Sequence, residues 1–225
     1  MPYTLFWDIE TQEKIDDKKG RFREDRIRKL NVSCACTLRV DSDLIMDGRE
    51  EDALLRATQT TYWVDDIDGL QPMLSEFDGA ELLVSYNGFS FDHLVLQKYY
   101  RGDRRRELSH TFKAHDVFKR IVDSQASRWP SLDKLLSLNG FDTKGANGLI
   151  AIKWWASGNR RDLEEYCRSD VMLMAKLALS KSGIILDGSE PMHAPHAVVG
   201  VAPSLAARRF RFPDRRKRGR EGLIE

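Results

Sequence analysis

Asp8 and Glu10 stand one residue apart where the apolar run of residues 3–9 ends. On a strand, residues i and i+2 face the same way, so both carboxylates project from one face. Two like charges at a buried strand end repel unless a cation lies between them. A surface strand end with solvated acids is the alternative that this pair alone leaves open. A third acid, Asp92, closes the stretch Asn87-Gly88-Phe89-Ser90-Phe91-Asp92, which follows an apolar strand pattern and opens a helix. Gly88 permits a tight turn and Phe91 fills the space beneath the helix. Asp92 then stands above the carboxyl end of a strand, where open α/β sheets place ligands. An ordinary first-turn acid favouring the helix dipole is its alternative. A fourth acid, Asp170, lies four residues after Tyr166 in a long helical pattern, so phenol and carboxylate share one helix face. Leu163 and Met174 lie near that face. A mid-helix acid turned to the core needs a partner, whereas one at the rim reaches water.

These residues depend on the elements around them. Residues 3–9, 30–40 and 60–64 read as strands, and connections without long helical crossovers make the three antiparallel. Residues 13–29 carry eight basic and five acidic side chains and read as a solvated loop or short charged helix. Further on, 69–77 reads as a short helix, 81–86 as a buried strand, 91–100 as a helix and 111–117 as a fifth strand. Ser131 caps a helix over 132–138 that Asn139-Gly140 ends. Residues 147–156 form another helix, stopped at Ser157-Gly158, and 160–182 form the longest. Strands, then strand–helix alternation, then helices predict an α/β fold whose mixed sheet is flanked by helices. Residues 1–183 form one domain, and 184–225 a Pro/Arg-rich basic tail expected to be flexible.

The 225 residues, 41% hydrophobic and 32% charged, suffice for one real core. No apolar run reaches the ~18 residues of a membrane span, and the first residues lack the basic start of a signal peptide. Residues 208–225 hold eight bases and three acids, so the remainder carries 28 against 32, a body of net charge −4. Cys34, Cys36 and Cys167 read as reduced, packed thiols, with Cys34 and Cys36 on one strand face. An intracellular location follows, and a nuclear one if the source is a eukaryote, because of the basic tail.

Three motifs in order give the chain a known likeness. Phe6-Trp7-Asp8-Ile9-Glu10-Thr11, Asn87-x-x-x-Phe91-Asp92 and Tyr166-x-x-x-Asp170 resemble those of the DEDDy 3′–5′ exonucleases, the DnaQ-like group within the ribonuclease H-like fold. The likeness spans about residues 3–180. It runs nearest to stand-alone relatives of the family B polymerase proofreading domain, on Trp155-Ala156-Ser157-Gly158 and Tyr166-Cys167-Arg168-Ser169-Asp170-Val171. The tyrosine assigns the subclass, since Glu165 occupies the position of the histidine subclass's His.

The resemblance implies a ribonuclease H-like mixed sheet of three antiparallel strands followed by parallel ones. It implies two-metal hydrolysis by Mg²⁺ or Mn²⁺ ions roughly 3.5–4 Å apart. Asp8 would bridge the ions, Glu10 and Asp170 would complete the site that activates water, and Asp92 would serve the second. Tyr166 would orient the nucleophile, since a phenol with a pKa near about 10 is a poor base at neutral pH. Thr11, Asn87, Phe91, Arg104 and Arg105 are the candidate substrate contacts. The implied partner is the 3′ end of DNA or RNA, with a replication or repair protein acting in trans. A catalytically weak nuclease-fold binding or interaction module and a structure-specific endonuclease are the alternative readings.

Other residues carry lesser expectations. Asp116 reads as the cap of the next segment ahead of a support for the site, and His93 as an exposed helix residue. Trp154 and Trp155 stack bases or pack, with packing favoured for at least one. Residues 101–106 read as a basic loop, and 144–148 as a Gly-rich connector that lacks a phosphate-loop pattern.

Overall fold

β1 (Tyr3–Thr11) is the central strand, and its nearly unbroken burial suits a strand covered on both faces. The computed structural model describes residues 1–15, 23–124, 131–143, 148–180 and 184. The basic tail at 208–225, the 144–147 connector and part of the charged 13–29 stretch lie outside the described residues. After β1 come α1 (Arg23–Ile27), β2 (Val32–Asp41), α2 (Ser42–Met46), α3 (Glu50–Leu55) and β3 (Thr58–Trp63). α4 (Gln71–Gly79), with Pro72 in its first turn, leads to β4 (Leu82–Ser85). α5 (Asp92–Leu96) lies between 3₁₀ turns at Gly88–Ser90 and Gln97–Tyr100. α6 (Arg104–Lys113), β5 (Ala114–Asp116), α7 (Val117–Ser124), α8 (Leu132–Leu138), α9 (Gly148–Ser157) and α10 (Arg160–Ala178) complete the order.

The sheet runs β3-β2-β1-β4-β5. β2 pairs antiparallel with β1 and β3, while β4 pairs parallel with β1 and β5. This is the mixed sheet that the sequence predicts. The connection between β2 and β3 contains only two short helices, so no long helical crossover joins them and the antiparallel pairing is as expected.

Alternation along the strands divides the core. Phe6, Cys34, Cys36, Leu38 and Val84 meet Leu163, Cys167, Val171 and Met174 of α10 on one side. Leu5, Trp7, Ile9 and Leu83 meet Met73, Leu74 and Phe77 of α4 and Val95 and Leu96 of α5 on the other. The result is a helix–sheet–helix sandwich with its catalytic candidates along one end of the sheet.

Two expectations are corrected. The fifth strand is confined to Ala114–Asp116, because Thr111 to Lys113 still belong to α6 and Val117 opens α7. Arg104 to Arg106 lie in the first turn of α6, where the Asp103 carboxylate accepts from the Arg106 N–H at 2.9 Å and starts the helix. α6 has almost no apolar periodicity; cap and ion pairs hold it instead, including Arg106 to Asp78 at 2.7 Å.

Candidate active site

β1 presents Asp8 opposite Cys36 and Glu10 opposite Cys34, on the face that α10 covers. The register slips between Glu10 and Thr11, a bulge that ends regular pairing just past the second acid. Glu10 is buried and Asp8 half-buried. An oxygen of each and the Cys167 sulfur lie within 4.8 Å of one another. Burial raises the pKa of the Cys167 thiol well above its ordinary value, with Cys34 and Cys36 adding to the effect. The sulfur is therefore a neutral neighbour of the acids, as the expectation of a packed thiol has it.

α10 supplies the third motif. Asn159 caps it through a bond from the Asp162 N–H, and Cys167, Asp170, Val171 and Met174 form its inward face. Asp170 is buried, and Tyr166, one turn earlier, is half-buried at the edge. The Trp154 ring of α9 meets the Tyr166 ring edge-on at 6.0 Å.

The second motif hangs from β4. Asn87 adopts the left-handed conformation with φ 61°, which Asn tolerates better than most residues. A Cβ on Gly88 would meet the Ser85 Oγ at 2.2 Å and its Cβ at 2.9 Å, so only glycine allows this close pass. The buried Asp92 then opens α5.

Asp116 at the end of β5 holds this turn from below. Its carboxylate accepts from the N–H groups of Asn87 at 2.8 Å, Phe89 at 3.1 Å and Lys119 at 3.2 Å. The sequence reading favoured the capping role, and the structure adds the turn. An acid directly after a short strand was the available signal.

The five candidate catalytic residues, Asp8, Glu10, Asp92, Tyr166 and Asp170, line one cavity of about 450 Å³. Asn87 and Phe91 line it too. Phe118, Ser131, Leu132, Asp133 and Gly148 join them, residues that sequence reasoning did not single out for the site. Their one visible signal was Ser131, a helix cap.

Three candidate contacts lie elsewhere. The Thr11 hydroxyl donates to the Glu13 carbonyl at 3.0 Å. Arg104 pairs with Glu107 at 2.5 Å on its own helix, and Arg105 is exposed there. None of these three lines the cavity.

His93 is not an exposed helix residue. It stacks on Phe89 at 5.2 Å and meets Trp7 edge-on at 5.0 Å. Burial, with the charge of His110, lowers its pKa to about 4, so it is neutral at ordinary pH. Trp155 stacks on Trp63 at 6.5 Å.

The family model of the RNase H superfamily matches residues 49–180. That span contains Asp92, Tyr166 and Asp170, and it begins after Asp8 and Glu10. No curated protein matches the sequence. Among solved structures, the chain is similar to the family B DNA polymerase of the hyperthermophilic archaeon Pyrobaculum calidifontis, with a TM-score of 0.51 and 18% identity. The similarity covers 79% of this chain and 24% of the polymerase chain, and it is a likeness of fold.

Proposed function

We propose, from the premise that the chain belongs to the RNase H superfamily, that it is a metal-dependent 3′–5′ exonuclease acting on single-stranded or frayed nucleic acid. The observation that carries the reading is the convergence of Asp8, Glu10, Asp92, Tyr166 and Asp170 on one cavity from three distant stretches of chain. The likeness to a family B DNA polymerase supports the fold on which it rests.

The donor set fits hard divalent ions. Four carboxylates offer oxygen ligands suited to Mg²⁺ or Mn²⁺, and burial keeps the Cys167 thiol beside them protonated. Asp8, Glu10, Asp92 and Asp170 would hold such ions. When bound, such ions polarise the phosphodiester and lower the pKa of nearby water.

The remaining work belongs to side chains around the acids. Tyr166, braced by Trp154, hydrogen-bonds the attacking water and aims it at the terminal phosphate. Phe91 and Phe118 give the cavity apolar surface against which the last nucleoside packs and displaces water. Asn87 offers a polar contact from the left-handed turn. At the last internucleotide phosphate the water oxygen bonds to phosphorus, the P–O3′ bond breaks, the released 3′ oxygen is protonated, and a nucleoside 5′-monophosphate leaves a strand one residue shorter.

The test is digestion of end-labelled linear oligonucleotides with Mg²⁺ or Mn²⁺. Asp8→Ala and Asp92→Ala should each lower the rate by at least ~10²–10³-fold while the unfolding transition stays cooperative. A circular single strand should survive, since it offers no end. Undiminished digestion by purified Asp8→Ala protein refutes the assignment, and cleavage of the circle points to an endonuclease.

A further inference from the structure

An acid-rich cavity must still hold a polyanion. Among the described residues, the lining contains no Lys or Arg. Beyond the ions that the acids would hold, the cationic side chains among the described residues that meet a strand lie outside it.

One such group lies along the sheet. Glu10 pairs with Cys34, and Cys34 pairs with Trp63. Residues level with one another across a sheet point to the same face, so Trp63 stands two strands from Glu10 on the cavity's side, about 10 Å away. The Trp155 ring stacks on it at 6.5 Å and 15° between planes. α9 ends at Gly158, with φ 72°, and the Asn159 N–H returns to the Trp154 carbonyl at 2.8 Å. That tight turn brings Arg160 back over both rings, its guanidinium 4.7 Å from the Trp63 centroid and 5.3 Å from that of Trp155. Adjacent Trp154 and Trp155 thus divide between two tasks, one bracing Tyr166 and the other forming this cluster.

All three members are half-buried, and Arg160 also pairs with Asp65, at 43% and 47% side-chain exposure. A pair so exposed adds little stability. The cluster does hold the groups that a single strand requires, indoles for bases of any sequence and a guanidinium for phosphate, and the guanidinium lies over the rings until a phosphate draws it away.

We infer that Trp63, Trp155 and Arg160 form a binding site for the bases and backbone of single-stranded nucleic acid leading into the cavity. The inference rests on the exonuclease reading for its ligand class. Bases stack on the indoles, and a strand phosphate takes the Arg160 guanidinium from Asp65.

The full chain is titrated with a single-stranded thymidine 12-mer in EDTA, following tryptophan fluorescence and anisotropy of a labelled oligonucleotide. Trp155→Leu and Arg160→Gln should each raise the Kd for the 12-mer about tenfold. Both should leave the Kd of thymidine monophosphate, titrated with Mn²⁺ in place of EDTA, within about twofold, since one nucleotide does not reach from the cavity to the cluster. Trp155→Phe, which keeps a π face, should stay within about threefold of the wild type for the 12-mer. Unchanged 12-mer binding in both loss variants overturns the inference. So does an equal loss in Trp155→Phe and Trp155→Leu accompanied by lowered unfolding midpoints, which would make the cluster structural. A wild type that binds the 12-mer through these residues but does not digest it with Mn²⁺ defeats the exonuclease reading and leaves this site standing.

Discussion

Asp116 shows how one carboxylate sets the position of another. Its two oxygens receive three main-chain N–H groups, two of them from the turn that delivers Asp92. Asparagine in its place has a single accepting atom and turns an NH₂ group toward a donor. Asp116→Asn should therefore lower stability by about 1–3 kcal/mol in urea titration. It should also lower kcat on oligonucleotides more than it changes KM, because the misplaced group acts at the reacting phosphate. Equal kinetics in the two proteins would show that the turn keeps its shape without this anchor. The acids themselves were legible because periodicity predicts their facing: two residues on a strand for Asp8 and Glu10, four on a helix for Tyr166 and Asp170. The second bond set of Asp116 was not, since its partners are backbone groups up to 29 positions away, and no side-chain pattern encodes them. His93 was misjudged for a related reason. Its setting comes from Trp7, on a strand that only folding brings near.

At the scale of elements, α6 shows where pattern reading fails. Its start reads as a basic loop and its end as a strand, yet the Asp103 cap, the Arg106–Asp78 pair and a fully buried His110 make it a helix. The Tyr100 hydroxyl lies 2.9 Å from His110 Nδ1, and Asp78 lies 2.7 Å from its Nε2. Burial lowers the His110 pKa, and the pull of Asp78 offsets this only in part. A histidine whose folded pKa lies below its unfolded value of ~6.5 takes up its proton first in the unfolded chain. Its stabilising contribution is complete above about pH 6.5 and declines as pH falls below that. His93 acts in the same sense down to about pH 4. Burial also works against the Asp78 carboxylate, but bonds from Arg106 and His110 outweigh it and lower its pKa, so further stability is lost at still lower pH. Thermal unfolding should be nearly level from pH 7 to 8, with the midpoint falling between about pH 6.5 and 5. His110→Gln should shallow that fall, and an identical pH profile in the variant would exclude this histidine as its source. The sheet was more legible than α6 because buried strands declare themselves through apolar runs, whereas a helix held by caps and ion pairs leaves no such stripe.

For the molecule as a whole, the proposed ligands come from β1, α5 and α10, so cation binding at them would be linked to folding. Ions that bind only the native state should stabilise it by about 2.7 kcal/mol at a hundredfold excess over Kd. Mn²⁺ should raise the unfolding midpoint of the wild type, and Asp8→Asn should lose most of that increase. A matching increase in the variant would mean that the ions bind elsewhere. The order of the strands has a further consequence for synthesis. β1 leaves the ribosome first and can pair with β2 and β3 early, but Phe6 needs Val84, and Asp8 meets a helix whose Cys167 is 159 positions downstream. Contacts of such separation close slowly. A nascent chain therefore carries an incomplete sheet with an unpaired edge until α10 docks, so the proposed site cannot close before residue 170 has been made.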